Sequence, residues 1–174
     1  MDRTGSSRQR RTGAAGGARQ EIEAYLGVAA VEGVDAGVYH YNVREHSLEL
    51  IAEGFSRAEA SRLCADQPGV GEAAFVVFAT AVLRRMRVKY RHPRAYRVSL
   101  LNAGHLGQTF ALTATALGLG PFQTAAFDDT AVERRLGIDG IDHVALYVLA
   151  AGIPADRVDD QSAGLAAFRR TTLH

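Results

Sequence analysis

Two adjacent residues, Lys89 and Tyr90, put an amine beside a phenol and could together serve proton transfer. Lysine and tyrosine both act as general bases where a site holds them against a substrate. The dipeptide alone favours a plainer interpretation, in which the lysine lies along the surface and the tyrosine packs at the end of an element. Arg94 and Arg97 follow shortly afterwards, and they either bind an anionic group or form a solvated basic face.

The positions after this basic lead-in form a long segment without charge. Residues 98–127 contain no Asp, Glu, Lys or Arg, although charged residues make up 22% of the chain. A helix that is apolar nearly all round is normally buried, so we predict a core or dimer-interface helix. Its polar groups, among them His105 and Gln108 on one face, argue against a membrane span. For His105 we expect a buried partner inside the fold.

Bulk properties exclude several classes of protein. With 174 residues and a net charge of +1, the chain is predicted as one domain with no general attraction to nucleic acid. Cys64 is the single cysteine, which excludes an internal disulfide and a cysteine metal cluster and favours a reducing cytoplasm. We expect its thiol to be inert. The N-terminus has no apolar segment typical of a secretory signal.

The two ends of the chain differ in composition from its middle. Residues 1–20 are rich in Gly, Ser and Arg without apolar periodicity, and we predict a flexible arm. The alternative is that its arginines and glycine amides meet a phosphate, because guanidinium binds phosphate bidentately. Residues 155–174 are predicted as a polar tail with an amphipathic stretch at 163–170, which leaves 21–154 as the domain.

Strand patterns recur across this domain. Alternating apolar residues predict strands at 21–31, 38–43 and 48–52, joined by short turns into a meander. Continuous apolar runs at 75–82 and 144–151 predict strands buried on both faces. A shorter strand is expected at 122–127.

Helix signals lie between these strands. Ser56 with Glu59 has the capping-box pattern and predicts a helix over 57–65 that ends before the turn at 67–69. Asp128 caps a second predicted helix over 130–136, and Gly137 ends it. The mixture of helices with a buried sheet indicates an α+β domain.

Four spaced segments share their order with a known family. They are Gly17-Ala18-Arg19 with 22–25; residues 32–41 with 46–48; Lys89-Tyr90 with 94–97; and 103–108 with 116–120 and 127–129. Over about residues 11–152 the chain resembles the nitroreductase-like FMN flavoproteins. Within them it is similar to the SagB-type dehydrogenases, a branch that includes the azoline oxidases of ribosomally made peptides.

The chain departs from the family pattern at several places. Ala14 and Ala15 stand where the pattern has Pro-Ser, Asn102 replaces the usual glutamate, and Thr109 replaces the usual asparagine. The family's additional N-terminal helix, whose arginine motif grips the FMN phosphate, is expected to be missing, with residues 6–8 at most a remnant. These departures put tight flavin binding in question but leave the fold prediction unchanged.

The resemblance implies a role for each matched residue. Lys89 and Tyr90 would lie beside the flavin, where one of them removes a ring proton from the substrate. Gln108 would donate to the pyrimidine edge of the flavin. Arg94 and Arg97 would hold its phosphate or its N1–O2 edge. The remaining cofactor-binding residues would be Gly17, Arg19, Gly120, Ala125 and Ala126.

The resemblance also implies a function. The chain would be an FMN-dependent oxidoreductase that dehydrogenates azoline rings in a peptide, with the flavin site at a homodimer interface. One alternative is a flavin-free scaffold or partner subunit of a biosynthetic complex. A further alternative is a nicotinamide-dependent nitro or quinone reductase that acts on a small molecule. None of these three predicted functions requires a membrane or a nucleic acid as partner.

Overall fold

The computed structural model describes residues 15–154, which form a six-stranded sheet with helices on both faces. The strands are β1 Ile22–Val28, β2 Gly37–Asn42, β3 Ser47–Glu53, β4 Phe75–Val82, β5 Gly120–Thr124 and β6 His143–Gly152. Their order is β3-β2-β1-β4-β6-β5, and all neighbours pair antiparallel. The predicted α+β fold with a mainly antiparallel sheet is confirmed.

Five α-helices lie within the described residues. They are α1 Arg57–Leu63, α2 Pro68–Gly71, α3 Leu83–Arg87, α4 Arg94–Ala116 and α5 Asp129–Leu136. The predicted caps are present, because Ser56 Oγ accepts the Glu59 N–H at 3.1 Å and Asp128 Oδ1 accepts the Ala131 N–H at 2.9 Å. Gly137 ends α5 in the left-handed conformation, with φ 71°.

Some predicted bounds were wrong. The helix predicted over 57–65 ends at Leu63, and the predicted turn that follows opens the short helix α2, since proline fits a first helical turn. The strand predicted at 122–127 begins at Gly120 and ends at Thr124. It ends there because the Thr124 hydroxyl accepts the Ala126 N–H at 2.9 Å and turns the chain.

The sheet separates two hydrophobic cores. On one face, α1, α2 and α5 cover a core that includes Phe55, Phe78 and Val148. On the other face, α3 and α4 cover a smaller core that includes Ile22 and Leu146. Both predicted buried strands, β4 and β6, contribute to the two cores, as their continuous apolar runs require.

The long helix α4 approaches the sheet closely at a glycine. A Cβ atom at Gly107 would lie 2.7 Å from Gln123 Oε1 and from a ring carbon of Tyr147. This close approach brings Gln123 within hydrogen-bond distance of both elements. Its Nε2 donates to the Gly107 carbonyl at 3.0 Å, and its Oε1 accepts from the Tyr147 hydroxyl at 3.0 Å. These contacts fix α4 against β5 and β6.

One side of α4 packs on the sheet, as predicted for a core helix, and the opposite side is exposed in the single chain. The role of that side as a dimer interface stays a prediction. Leu101 is 60% exposed and Leu112 is 64% exposed. Side chains three or four positions apart share a helix face. We call this face the outward stripe of α4; its exposed members are Arg94, Arg97, Leu101, His105, Gln108 and Leu112. Within the described part of the chain, no helix combines the length and hydropathy needed to cross a membrane.

The predicted arm and tail fall mostly outside the description. Residues 1–14 and 155–174, with the amphipathic stretch at 163–170, lie outside the described residues. The last part of the predicted arm, residues 15–20, is described and contacts α4 through Gly16. This segment leads directly into the candidate site.

Candidate functional site

The residues before β1 form a tight turn beside α4. Gly16–Ala18 is one turn of 3-10 helix in which Gly17 has a φ of 63°. Ala18 and Gln20 also have positive φ, at 54° and 53°, which is uncommon for residues with a side chain. Such a backbone persists where surrounding contacts hold it in place.

This turn meets both residues predicted to transfer protons. A Cβ atom at Gly17 would lie 2.8 Å from Lys89 Nζ and 3.0 Å from the Tyr90 hydroxyl oxygen. Any other residue at this position would therefore collide with one of the two groups or displace it. The structure thus brings together three of the residues selected from the sequence.

The end of α3 positions the lysine and the tyrosine. The N–H groups of Lys89 and Tyr90 both donate to the carbonyl of Met86, at 3.0 and 2.9 Å, and the side chain of Met86 is fully buried. Lys89 Nζ lies 5.6 Å from the centroid of the Tyr90 ring, within the range of a cation–π contact. The anchored backbone leaves the amine exposed at the surface beside the phenol.

Asn102 connects the turn to α4. Its Oδ1 accepts the Gly16 N–H at 3.0 Å, and its Nδ2 donates to Glu21 Oε1 at 2.6 Å. Both side chains are buried, since Asn102 is 6% exposed and Glu21 is 0% exposed. A Cβ atom at Gly16 would overlap the side chain of Val98, so the turn packs directly onto the helix.

Two polar atoms beside this contact lack partners. Glu21 Oε2 and Arg19 Nε are both buried and make no hydrogen bond within residues 15–154. Buried polar atoms without partners are rare in folded proteins and point to a function or to an absent group. The predicted cofactor residue Arg19 therefore keeps part of its hydrogen-bonding capacity unused.

A cavity of about 300 Å³ opens beside Tyr90. Its lining combines aromatic and cationic side chains, which suits a ligand that is planar or anionic. The polar lining residues include Tyr90, Arg91, His92 and Tyr96. The phenol of Tyr90 thus lies between this cavity and the turn.

Three other predicted cofactor residues lie on the outward stripe of α4. Arg94, Arg97 and Gln108 are exposed and face away from the sheet of their own chain. None of the three has an ion pair or a side-chain hydrogen bond within residues 15–154. His105 shares this stripe, so the expectation that it meets a buried partner was wrong for the single chain.

The last predicted group lies at the far edge of the sheet. Gly120 begins β5 and packs against Pro154, where a Cβ atom would lie 3.1 Å from the proline Cα. Ala125 and Ala126 follow β5 in an exposed turn. Three strand spacings separate β5 from β1, which corresponds to about 14 Å. Gly120 therefore lies at the edge of the sheet, three strands away from β1, the strand that follows the 16–18 turn.

Sequence reasoning missed two members of the site. Glu21 was interpreted as the start of the first strand, and Asn102 was noted only as a departure from the family pattern. One signal could have drawn attention to Asn102, since an amide in a charge-free helix needs a buried partner. Nothing local in the sequence indicates that its partner is Glu21.

Titratable groups elsewhere have other surroundings. Burial raises the pKa of the Cys64 thiol to about 11, which agrees with the expectation of an inert cysteine. His40 lies between Glu49 and Glu23 at 3.0 and 3.1 Å, on the sheet face opposite α4. No group of His, Cys, Asp and Glu within residues 15–154 could hold a metal ion.

Comparison with known proteins matches residues 11–153 to the nitroreductase family. Trifolitoxin-processing protein TfxB of Rhizobium leguminosarum bv. trifolii is 34% identical over 128 residues, which cover 71% of this chain and 34% of that protein. A nitroreductase-like structure from Anabaena variabilis is 35% identical with a TM-score of 0.71, covering 78% of this chain and 27% of that chain.

A further structural match comes from a peptide-processing assembly. The E. coli microcin synthetase McbBCD complex with truncated pro-MccB17 bound contains a chain that is 28% identical with a TM-score of 0.73. The match covers 84% of this chain and 57% of that one. The chain spans about a third of the length of the trifolitoxin-processing protein, at 34%.

The antiparallel sheet crossed by a long helix is a nitroreductase fold. The chain belongs to the nitroreductase family, and the family predicted from four short segments is confirmed. Relatives named for the processing of trifolitoxin and microcin B17 agree with the SagB-type branch.

Proposed function

We propose that this chain is an FMN-dependent oxidoreductase that dehydrogenates azoline rings in a ribosomally made peptide. The observation that supports the proposal is the close approach of Lys89 and Tyr90 to Gly17, which puts an amine and a phenol together at a glycine turn. Membership of the nitroreductase family supports redox chemistry. The names of the relatives, which process trifolitoxin and microcin B17, support a peptide substrate.

Several of the predicted cofactor residues have the chemistry to bind an anionic, planar cofactor. Arg94 and Arg97 lack carboxylate partners within residues 15–154, so their guanidinium groups are open to a phosphate or to the flavin N1–O2 edge. Arg19 Nε, which makes no hydrogen bond within residues 15–154, would be a further donor. Gly17 keeps the backbone free of a side chain where a flat ring would approach the lysine and the tyrosine.

Dehydrogenation of an azoline ring removes one hydride and one proton. FMN, when bound, would supply the hydride acceptor, and dioxygen would be the oxidant that regenerates it. Lys89 or Tyr90 accepts the proton. Lysine occurs once in the chain, at position 89, against nineteen arginines. Arginine cannot release its proton in a protein, so among the lysine and arginine side chains of the chain Lys89 is the one that can act as a base.

The proposal includes a homodimer that forms through the outward stripe of α4. Gln108 lies on this stripe between the exposed leucines Leu101 and Leu112. Exposed leucines on one helix face are a feature of interaction sites. A second copy packed there would bring its own residues to the Gln108 side, and each flavin would then contact both chains.

Substitution of the two proton acceptors tests the proposal. Lys89→Arg keeps the positive charge but removes the base, and Tyr90→Phe removes the phenol while keeping the ring. We measure the loss of visible flavin absorbance under anaerobic conditions, with FMN-loaded protein and a synthetic thiazoline-containing peptide. Loss of a general base lowers the rate by about 100-fold or more, and we expect this for one of the two variants. FMN binding should remain.

The two alternatives have distinct outcomes in the same experiment. Full activity in both variants would contradict the assignment of the proton acceptors. Bleaching of the flavin by a nicotinamide donor but not by the peptide would favour a nitro or quinone reductase. A protein that never takes up FMN would favour a scaffold or partner subunit, whose binding surface would be the outward stripe of α4.

A further inference from the structure

We propose that Glu21 and Asn102 are positioning residues, which form a buried clasp that holds the 16–17 turn against Lys89 and Tyr90. The clasp consists of two hydrogen bonds in series, from Gly16 N–H to Asn102 Oδ1 at 3.0 Å and from Asn102 Nδ2 to Glu21 Oε1 at 2.6 Å. Its effect on catalysis rests on the proposed function of the lysine and the tyrosine.

The direction of each hydrogen bond is fixed by chemistry. A backbone N–H and an amide NH₂ can only donate, so Gly16 donates to Asn102 Oδ1 and Asn102 Nδ2 donates to a Glu21 oxygen. Gly16 and Glu21 therefore hold the amide of Asn102 in one orientation. Aspartate at this position would still accept from Gly16 but would face Glu21 with a second acceptor.

Burial gives the clasp its strength. Glu21 is 0% exposed and Asn102 is 6% exposed, so water does not compete for the two hydrogen bonds. The turn also packs onto Val98 of α4, where a Cβ atom at Gly16 would overlap the valine side chain. The backbone at residues 16–17 is thus held from the helix side by both polar and apolar contacts.

The opposite side of the turn contacts the proton acceptors. The Cβ position of Gly17 lies 2.8 Å from Lys89 Nζ and 3.0 Å from the Tyr90 hydroxyl oxygen. A displacement of the turn would therefore move into these groups or release them. Misplacement of reacting groups by about 1 Å can lower a rate about 100-fold.

The unpartnered oxygen of the clasp supports a functional role. Glu21 Oε2 is buried without a hydrogen bond within residues 15–154. A buried polar group in this condition is destabilising, so packing alone does not explain why a carboxyl group occupies the position. Positions that break such a rule concentrate at functional sites.

Exchange of the amide and the carboxyl group between positions 102 and 21 tests the clasp. Asn102→Asp places two carboxyl groups against each other and should lower kcat by about 10- to 100-fold, with KM for the thiazoline peptide changed by less than about 3-fold. In the double variant Glu21→Gln with Asn102→Asp, the glutamine amide donates to the aspartate, which still accepts from Gly16. We expect kcat to return to within about 3-fold of the wild type.

A second readout is independent of flavin chemistry. Lys89 is the only lysine in the chain, so reductive methylation with labelled formaldehyde gives one side-chain NMR signal that is distinct from that of the N-terminal amine. We expect Asn102→Asp to shift this signal towards that of a free lysine, and the double variant to restore it. Asn42→Asp is the matched control, because Asn42 also donates to a glutamate, at 2.7 Å, but at the exposed β2–β3 hairpin.

The outcomes separate this proposal from the proposed function. Wild-type protein that neither binds FMN nor turns over would contradict the proposed function, and the lysine signal would then decide the clasp alone. Equal kcat and equal lysine signals in Asn102→Asp and the double variant would overturn the clasp. If Asn102→Asp does not fold, Asn102→Ser replaces it in the same measurements. Recovery of kcat and of the lysine signal when Glu21→Gln is added to Asn102→Ser would also count against the clasp.

Discussion

Two asparagine–glutamate pairs in this molecule share a hydrogen-bond pattern but differ in their surroundings. Asn102 accepts the Gly16 N–H and donates to Glu21 at 2.6 Å, and both side chains are buried beside Lys89. At the exposed β2–β3 hairpin, Asn42 accepts the Arg44 and Glu45 N–H groups and donates to Glu49 at 2.7 Å. The buried pair joins segments that are far apart in the chain, whereas the exposed pair closes a local turn.

The difference shows how burial changes the contribution of an asparagine–glutamate hydrogen bond to stability. Where water is available, it replaces a lost partner and the remaining groups stay solvated. Where water is excluded, each group left without a partner carries the full cost of its burial. An asparagine therefore shapes an exposed local turn at the hairpin, whereas at α4 it holds the 16–17 turn through buried hydrogen bonds.

Alanine substitution should separate the two pairs most strongly. Asn102→Ala leaves the Gly16 N–H and the Glu21 carboxyl group without their shared partner, and we expect the free energy of unfolding to fall by about 3 kcal/mol. Asn42→Ala should have a much smaller effect because its partners are exposed. Urea unfolding of both variants measures the difference, and equal losses would contradict the importance of burial.

Packing at the buried turn gives the next largest effect. A side chain at Gly16 would overlap Val98, so Gly16→Ala should lower the free energy of unfolding by about 1–3 kcal/mol. Adding Val98→Ala should relieve the overlap and recover part of this loss. Gly71→Ala is the control, because a Cβ atom there meets only ordinary contacts with Ser61, at 3.4 Å or more. A destabilisation that persists in the double variant would indicate another cause.

The smallest expected effect is a pH-dependent contribution to stability at the exposed pair, where His40 contacts Glu49. Partial burial lowers the pKa of His40, but hydrogen bonds to Glu49 and Glu23 outweigh it and hold the pKa above its ordinary value. The imidazolium therefore stabilises the fold below the unfolded pKa, about 6.5, and this contribution is lost as pH rises through the raised folded pKa.

Comparison with His40→Gln isolates this contribution. We expect the wild type to exceed the variant in free energy of unfolding most at about pH 6, with the difference shrinking towards about pH 9. His143 acts in the opposite sense, since burial lowers its pKa, and a smaller part of that lowering comes from the charge of His40 itself. A difference that grows with pH would show that the two carboxylates do not hold His40 as an imidazolium.

Local patterns predicted most of the fold. The capped starts of α1 and α5, the end of α5 at Gly137 and the buried strands β4 and β6 all follow from residues within one element. Lys89 and Tyr90 were selected because they form a dipeptide within a family pattern. Their meeting with Gly17 required the order of segments that the family resemblance supplied.

Contacts between distant segments were beyond local patterns. Glu21 and Asn102 are 81 positions apart, and nothing in the sequence around either residue indicates that the two are in contact. The absence of charge in α4 predicted a core or dimer-interface helix, yet a charge-free composition does not show which face packs on the sheet and which face is exposed. The position of Gly120 at the edge of the sheet was equally beyond local patterns, because strand order is set by the whole sheet.

Binding of FMN by the purified chain is the most direct test of the proposed function. The protein is incubated with excess FMN and desalted, its visible absorption spectrum is recorded, and the compound released on denaturation is identified by mass. We expect a yellow protein that releases about one FMN per chain, as a resident cofactor requires. A protein that stays colourless would contradict the assignment of an FMN-dependent oxidoreductase.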